Sequence, residues 1–300
     1  MPRRNPETRD AGPTERGAEV LPEAFVQAAG QLLAHEHFRP ALARYCRDMA
    51  RSPSANWPIL KMFDQLGRYV VCYMLIHNYY AWRDAGGAAP TLSALQALVG
   101  SSPRHTAGLV SALKLGGFVE IESDPADRRI KRLRPAAATI AEIGRSLLLF
   151  VRALDEIEGR RDRAVRLAAP DRLGSLIHRS AAHVLANGTL LHAFPGVLHF
   201  TRRDCGYPLL TAIMAAHYAR DLDGEPAEPL SRRALAQRFG VSPAHIGNLF
   251  ADAEANGWFE IDGDGRVRPA SAFRSEFERW AAWQMVHVGT LCAEARIAAD

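Results

Sequence analysis

Residues 91–121 read TLSALQALVGSSPRHTAGLVSALKLGGFVEI, and residues 231–261 read SRRALAQRFGVSPAHIGNLFADAEANGWFEI. At an offset of 140, with no gap, ten of these 31 positions are identical: Ala94/Ala234, Leu95/Leu235, Gly100/Gly240, Ser102/Ser242, Pro103/Pro243, His105/His245, Leu109/Leu249, Gly117/Gly257, Glu120/Glu260 and Ile121/Ile261. Upstream the match continues at an offset of 138, through Tyr69/Tyr207 and Tyr80-Ala81/Tyr218-Ala219. Self-similarity at a fixed spacing marks a duplicated structural unit. Two units of about 140 residues each account for the chain.

Both stretches spell the same local grammar. Thr91 and Ser231 are N-cap residues for a short helix that stops at Gly100 or Gly240. Ser102-Pro103 and Ser242-Pro243 then place a capping hydroxyl before a proline at the first helical position. In the helix that follows, Thr106, Leu109, Val110 and Leu113 form an inner stripe, matched by Ile246, Leu249, Phe250 and Ala253. Gly116-Gly117 and Asn256-Gly257 end it. An extended pair comes next, Phe118 to Glu122 and Arg129 to Leu133 around Asp124-Pro125-Ala126. In the second copy it is Trp258 to Asp262 and Arg266 to Arg268 around Gly263-Asp264-Gly265.

Helix, glycine turn, capped helix and hairpin describe a winged helix-turn-helix. The expected fold class is therefore mainly α with small β-hairpins: two tandem winged helix-turn-helix domains whose flanking helices form a shared core. Helices are expected at 22–50, 58–83, 136–168, 171–187, 207–222 and 271–297, with Pro170 breaking the connection between the units. The division is a mobile tail at 1–18, an N-terminal helical segment at 19–56, a first winged helix domain at 57–150, a helical connector at 151–189 and a second winged helix domain with its C-terminal helix at 190–300.

Composition narrows the function. With 48% hydrophobic and 23% charged residues, the 300-residue chain can bury a full core. Its four cysteines have no paired spacing, which excludes a disulfide framework and a zinc knuckle. No run of 18 uncharged apolar residues and no signal-peptide core occur, so no membrane partner is expected and the location is cytoplasmic, at the nucleoid. The net charge of +4 is unevenly spread: residues 51–150 carry +5 and residues 190–300 carry −3.

In a helix-turn-helix the second helix enters the major groove, and its N-terminal outward side chains meet base edges. In the first unit the outward residues are Arg104, His105, Gly108, Ser111 and Ala112, with Ser102 and Thr106 at the helix start joining the candidate set. Arg104 is suited to a bidentate pair with guanine, and Asn248 of the second unit to the edge of adenine. Beside Asn248 stand Ala244, His245 and an exposed Asp252. Arg232, Arg233 and Arg238 on the preceding helix are placed to clamp a backbone. The first hairpin holds Arg128, Arg129, Lys131, Arg132 and Arg134 within seven residues, a density that serves phosphate better than a protein surface. The second retains only Arg266 and Arg268.

The segment DPADRRIKRLRP, residues 124–135, resembles the wing of the MarR family of bacterial transcription regulators, and the resemblance covers mainly 57–150. It implies that Asp127 orients Arg129 into the groove, with Arg128 and Arg132 on the backbone. Because such regulators are dimers, it also implies a single-chain pseudo-dimer that reads an imperfect palindrome. The function expected is sequence-specific binding of double-stranded DNA by two unequal heads, the first dominant. A plasmid replication initiator and a tandem winged-helix interaction scaffold are the alternatives.

Other chemistry is sparse. His35-Glu36-His37 lacks the i, i+4 spacing of a helical metal site, and no phosphate loop, nucleophile elbow or carboxylate pair is present. The chain is read as a non-enzyme without cofactor. Cys72 and Cys205 are candidates for redox sensing, with buried thiols as the plainer reading. Trp57, Tyr69, Tyr73, Tyr79, Tyr80 and Trp82 are candidates for an effector pocket against core packing, and the second unit is also a candidate protein-binding surface.

Overall fold

Each N-cap written in the sequence is made. Thr91 and Ser231 accept the amides of Ala94 and Ala234 at 3.2 and 3.1 Å, and Ser102 and Ser242 accept those of His105 and His245 at 3.3 and 3.1 Å. In the computed structural model, residues 21–51, 62–223, 230–263 and 266–294 are described. The expected tail at 1–18, Trp57, the helix start at 58–61, Asp264-Gly265 and the helix end at 295–297 lie outside them.

The chain is mainly helical, with two small antiparallel hairpins. In order, α1 spans Glu23–Ala34, α2 Phe38–Ala50, α3 Leu66–Ala85, α4 Leu92–Leu98 and α5 Pro103–Leu115. The first hairpin pairs β1 (Val119–Ser123) with β2 (Lys131–Pro135), from Val119↔Pro135 to Ser123↔Lys131. Then come α6 Ala137–Ile157, α7 Arg163–Leu167, α8 Pro170–Asn187, α9 Pro195–Thr201 and α10 Gly206–Tyr218. The second half closes with α11 Arg232–Phe239, α12 Pro243–Ala255, β3 (Phe259–Ile261) on β4 (Val267–Pro269), and α13 Ser271–Glu294.

The two helix-turn-helix-hairpin stretches share the bonds that join the second helix to its hairpin. Gly117 and Gly257 leave α5 and α12 at φ +74 and +69°, a conformation open to glycine without strain. The next amides, of Phe118 and Trp258, return to the carbonyls of Leu113 and Ala253, each at 2.8 Å. Past the hairpins, Ala136 and Ala270 donate to the carbonyls of those same two aromatic residues at 2.9 and 2.8 Å.

Several expected helices are interrupted. The 22–50 stretch breaks where His35 turns extended, which sends α1 onto α13 and α2 into the core. The 136–168 stretch breaks at Gly159, φ +67°. There the buried Asp155 accepts Arg163 Nε at 2.5 Å and the Ala164 amide at 3.0 Å, which starts α7. Pro170 opens α8, and beyond Tyr218 the 207–222 helix relaxes into a π turn over Ala219–Asp223.

The halves are interlocked through one continuous apolar core. Helix α2 of the first half packs on α10 of the second, while α8 packs back on α3, and α6 lies against α13. The α3–α8 contact is close: a Cβ at Gly174 would lie 2.0 Å from Tyr80 Cζ. His77 Nδ1 meets the His178 carbonyl at 3.1 Å, and His178 Nδ1 meets that of His77 at 3.2 Å, with the rings stacked.

Gly174→Ala is expected to lower unfolding free energy by about 1–3 kcal/mol, because Tyr80 has to leave its place. Gly108→Ala, where an added Cβ meets nothing, is expected to gain up to ~1 kcal/mol. Urea denaturation of both variants measures the difference, and equal stabilities would refute the close-packing account.

Candidate nucleic-acid interface

The N-terminal half of α5 stands clear of the core. Thr106, Leu109, Val110 and Leu113 bury its inner stripe, and Arg104, His105, Gly108, Ser111 and Ala112 are exposed on the opposite side. Ser102 is exposed too, but its hydroxyl is committed to the cap. Thr106 is a correction. It is fully buried, donating to the Ser102 carbonyl at 3.2 Å beside Ser101 Oγ at 2.9 Å, so it braces the turn and reaches no ligand. The β-branched hydroxyl looks like a polar contact in sequence, but its helical phase places it inward.

The hairpin divides its five basic residues into three kinds. Arg128 and Arg129 lie at the tip, between the strands, exposed and without an ion pair among the described residues. Lys131 and Arg134 are exposed but engaged, Lys131 with Ser123 Oγ at 2.7 Å and Arg134 with Glu122 at 3.1 Å. Arg132 is a second correction: only 13% of its side chain is exposed, its guanidinium stacks 4.6 Å from the Trp82 ring, and Asp124 lies 3.5 Å away. A cation held over an aromatic face and paired with a carboxylate is part of the scaffold.

The turn is shaped by two carboxylates. Asp124 Oδ1 accepts the amides of Ala126 and Asp127 at 2.8 and 3.3 Å, and the Ala126 amide chiefly holds its pKa below the usual carboxylate range. Asp127 Oδ1 accepts the backbone amide of Arg129 at 2.9 Å. Asp127 therefore positions Arg129 through its main chain.

The second helix-turn-helix is more deeply tied to the core. His245 Nε2 meets the Asp204 carbonyl at 2.9 Å, which withdraws it from any outward contact. Asp252, expected to be exposed, is half-buried and accepts Arg203 at 3.2 Å. Arg238 donates to the Ala50 carbonyl at 2.7 Å. Asn248, Arg232, Arg233 and Arg268 stay exposed. Arg266 is exposed as well, its amide fixed by Asp262 at 2.8 Å. Helical phase alone does not register the turn at 202–205, after α9, that occupies this face.

The remaining sequence candidates fall in the core. All four cysteines are buried and outside any disulfide, and burial pushes the Cys72 thiol pKa well above its ordinary value, which removes the redox candidates from solvent. Among the described residues, no cluster of His, Cys, Asp or Glu is arranged to hold a metal, and no helix is long and apolar enough to cross a membrane. Tyr69 and Tyr73 line a cavity of about 250 Å³, whereas Tyr79, Tyr80 and Trp82 pack elsewhere. Ser146, Trp280 and His287 also line it. They come from distant helices and left no local sequence signal. Comparison of the chain with family models, with curated proteins and with solved structures finds no match.

Burial, and secondarily the neighbouring His183, lowers His287 from 6.5 to about 4. Above pH 6.5 both folded and unfolded states hold it neutral. Between 6.5 and about 4 the unfolded state takes the proton first, so stability falls as pH falls. His287→Gln is expected to flatten this part of the stability–pH curve in denaturant titrations. An unchanged slope would show that His287 is not among the groups responsible.

Proposed function

We propose that this chain is a sequence-specific, double-stranded-DNA-binding transcription regulator with two unequal winged helix-turn-helix heads, the first dominating contact. Arg128 and Arg129 carry the proposal: two exposed guanidinium groups at a hairpin tip, beside a capped helix whose outward face offers Arg104, His105, Gly108 and Ser111. Guanidinium groups in such a wing suit phosphate or minor-groove contact, and exposed polar residues at the start of a helix suit base edges. The resemblance of residues 124–135 to MarR-family wings supports the same assignment.

The interlocked halves support a single-chain pseudo-dimer. Helices α2 and α8 cross to the opposite half, as dimerising elements would in two separate copies. Two such heads would address major grooves about 34–36 Å apart on an imperfect palindrome. The second contributes less, because His245 is bonded to the Asp204 carbonyl and the acidic Asp252 stands half-exposed on its helix. Its remaining contacts are Asn248, Arg232, Arg233, Arg266 and Arg268. This reading assigns no catalytic step and places the protein at the nucleoid.

Arg128→Ala with Arg129→Ala is expected to weaken binding to every duplex and to flatten the log–log salt slope by about one to two units, as for two lost phosphate contacts. Fluorescence anisotropy across a salt series measures this, and an unaltered slope would overturn the wing assignment. Arg104→Ala is expected to lose about 1–3 kcal/mol on a duplex selected from a random library, with non-specific affinity nearly retained. A uniform loss on all duplexes would reassign Arg104 to the phosphate backbone.

A further inference from the structure

The cavity of about 250 Å³ lies where α3, α6, α8, α10 and α13 meet, walled by Tyr69, Tyr73, Phe150, Tyr207 and Trp280. A dry apolar cavity of about 150 Å³ already admits benzene, so this one has room for a fused pair of rings. Partly exposed Gln65, Leu191, His192 and Thr201 stand at its edge.

Among the described residues, one buried side-chain polar atom of its lining has no partner. Tyr69 donates to the Ile143 carbonyl at 3.0 Å, Tyr73 donates to Ser180 Oγ at 2.6 Å, and Ser180 Oγ meets His287 Nε2 at 2.8 Å. The Tyr207 hydroxyl is bonded to that of Tyr45. Trp280 is only 5% exposed, and its indole N–H has no acceptor. Indole is a donor only, so what would complete it is an oxygen or nitrogen lone pair.

Charge restricts the occupant further. Among the described residues, no Arg or Lys lines the cavity, so an anion held by them would be desolvated without a partner. Asp64, the one carboxylate among the described lining residues, is already bonded to Arg68 at 2.8 Å, which leaves little to hold a cation.

We propose that this cavity binds an uncharged, planar aromatic molecule bearing a carbonyl-type acceptor, which takes the Trp280 indole N–H. Its wall continues toward the second head. Gln65 donates to the Arg202 carbonyl at 3.2 Å, Arg68 bonds Asp204 at 2.8 Å, and the Asp204 carbonyl meets His245 at the start of α12. Occupancy is thereby placed to bias that head. This regulatory role rests on the DNA-binding reading; the binding itself does not.

The test is calorimetric titration of the full chain, at pH 7.5 and without DNA, with four probes of one ring system. These are 2-acetylnaphthalene, its acceptor-free isostere 2-isopropylnaphthalene, 2-naphthoate and 2-naphthylmethylammonium. The ketone is expected to bind about tenfold or more tighter than either ion. Trp280→Phe is expected to cost the ketone about fivefold and to leave the isopropyl compound unaffected. In wild-type protein the indole N–H proton resonance of Trp280 should move with the ketone and stay with the isostere. Should Trp280→Phe fail to fold, that resonance and Leu191→Trp, which narrows the edge and should abolish binding of all probes, still decide. No binding of the ketone, tighter binding of either ion, or an unmoved resonance would each overturn the proposal. Duplex affinity, measured separately with and without ketone, shows which reading fails. Ligand binding without duplex binding removes the regulator, and duplex binding without ligand binding removes only the site.

Discussion

The fit of Tyr80 over Gly174 is the contact on which the placement of the first hairpin depends. Because residue 174 has no side chain, α8 comes close enough for the Tyr80 hydroxyl to donate to the Pro170 carbonyl at 3.2 Å and for Arg83 to reach Asp171 at 2.5 Å. Those bonds fix the C-terminal end of α3. From that end the chain turns through Gly86, and the Pro90 carbonyl accepts the Leu133 amide at 2.7 Å, which ties β2 to α3. Trp82, on the last turns of α3, receives Arg132. A close approach in the core thus sets the angle at which a surface hairpin stands.

The two halves share their local architecture and diverge in how their surfaces are spent. In the first, α5 leaves its starting residues in solvent and the hairpin projects two uncommitted arginines. In the second, the corresponding helix leans on the 202–205 turn, where Cys205 holds a left-handed φ of 50°. The two halves share the N-caps, the glycine after the second helix and the pairing at the base of the hairpin. The outward positions were free to change, because burial does not constrain them.

Much of the fold was legible because caps and turns are short-range chemistry. A serine three residues before the amide it accepts, a proline at the first helical position, or a glycine at positive φ needs no distant partner. The same holds for Arg104, Gly108 and Ser111, whose outward position follows from helical phase. Arg132 was misread because its partner Trp82 lies 50 residues away in sequence. His245 was misread because its partner is a carbonyl on another connection. Asp127 was half legible: its place in the turn was clear, but which atoms it would bond was not.

The amino-acid sequence by itself determined the duplication, the helix-turn-helix-hairpin order, the caps and the basic character of the first half, since each depends on residues within a turn or strand of one another. Only the tertiary structure decided which arginines stay in solvent, how α2 and α8 cross between the halves, and where five helices leave a cavity around an unpaired indole. Those features depend on contacts between residues far apart in the chain, and burial and pairing exist only once the helices have packed.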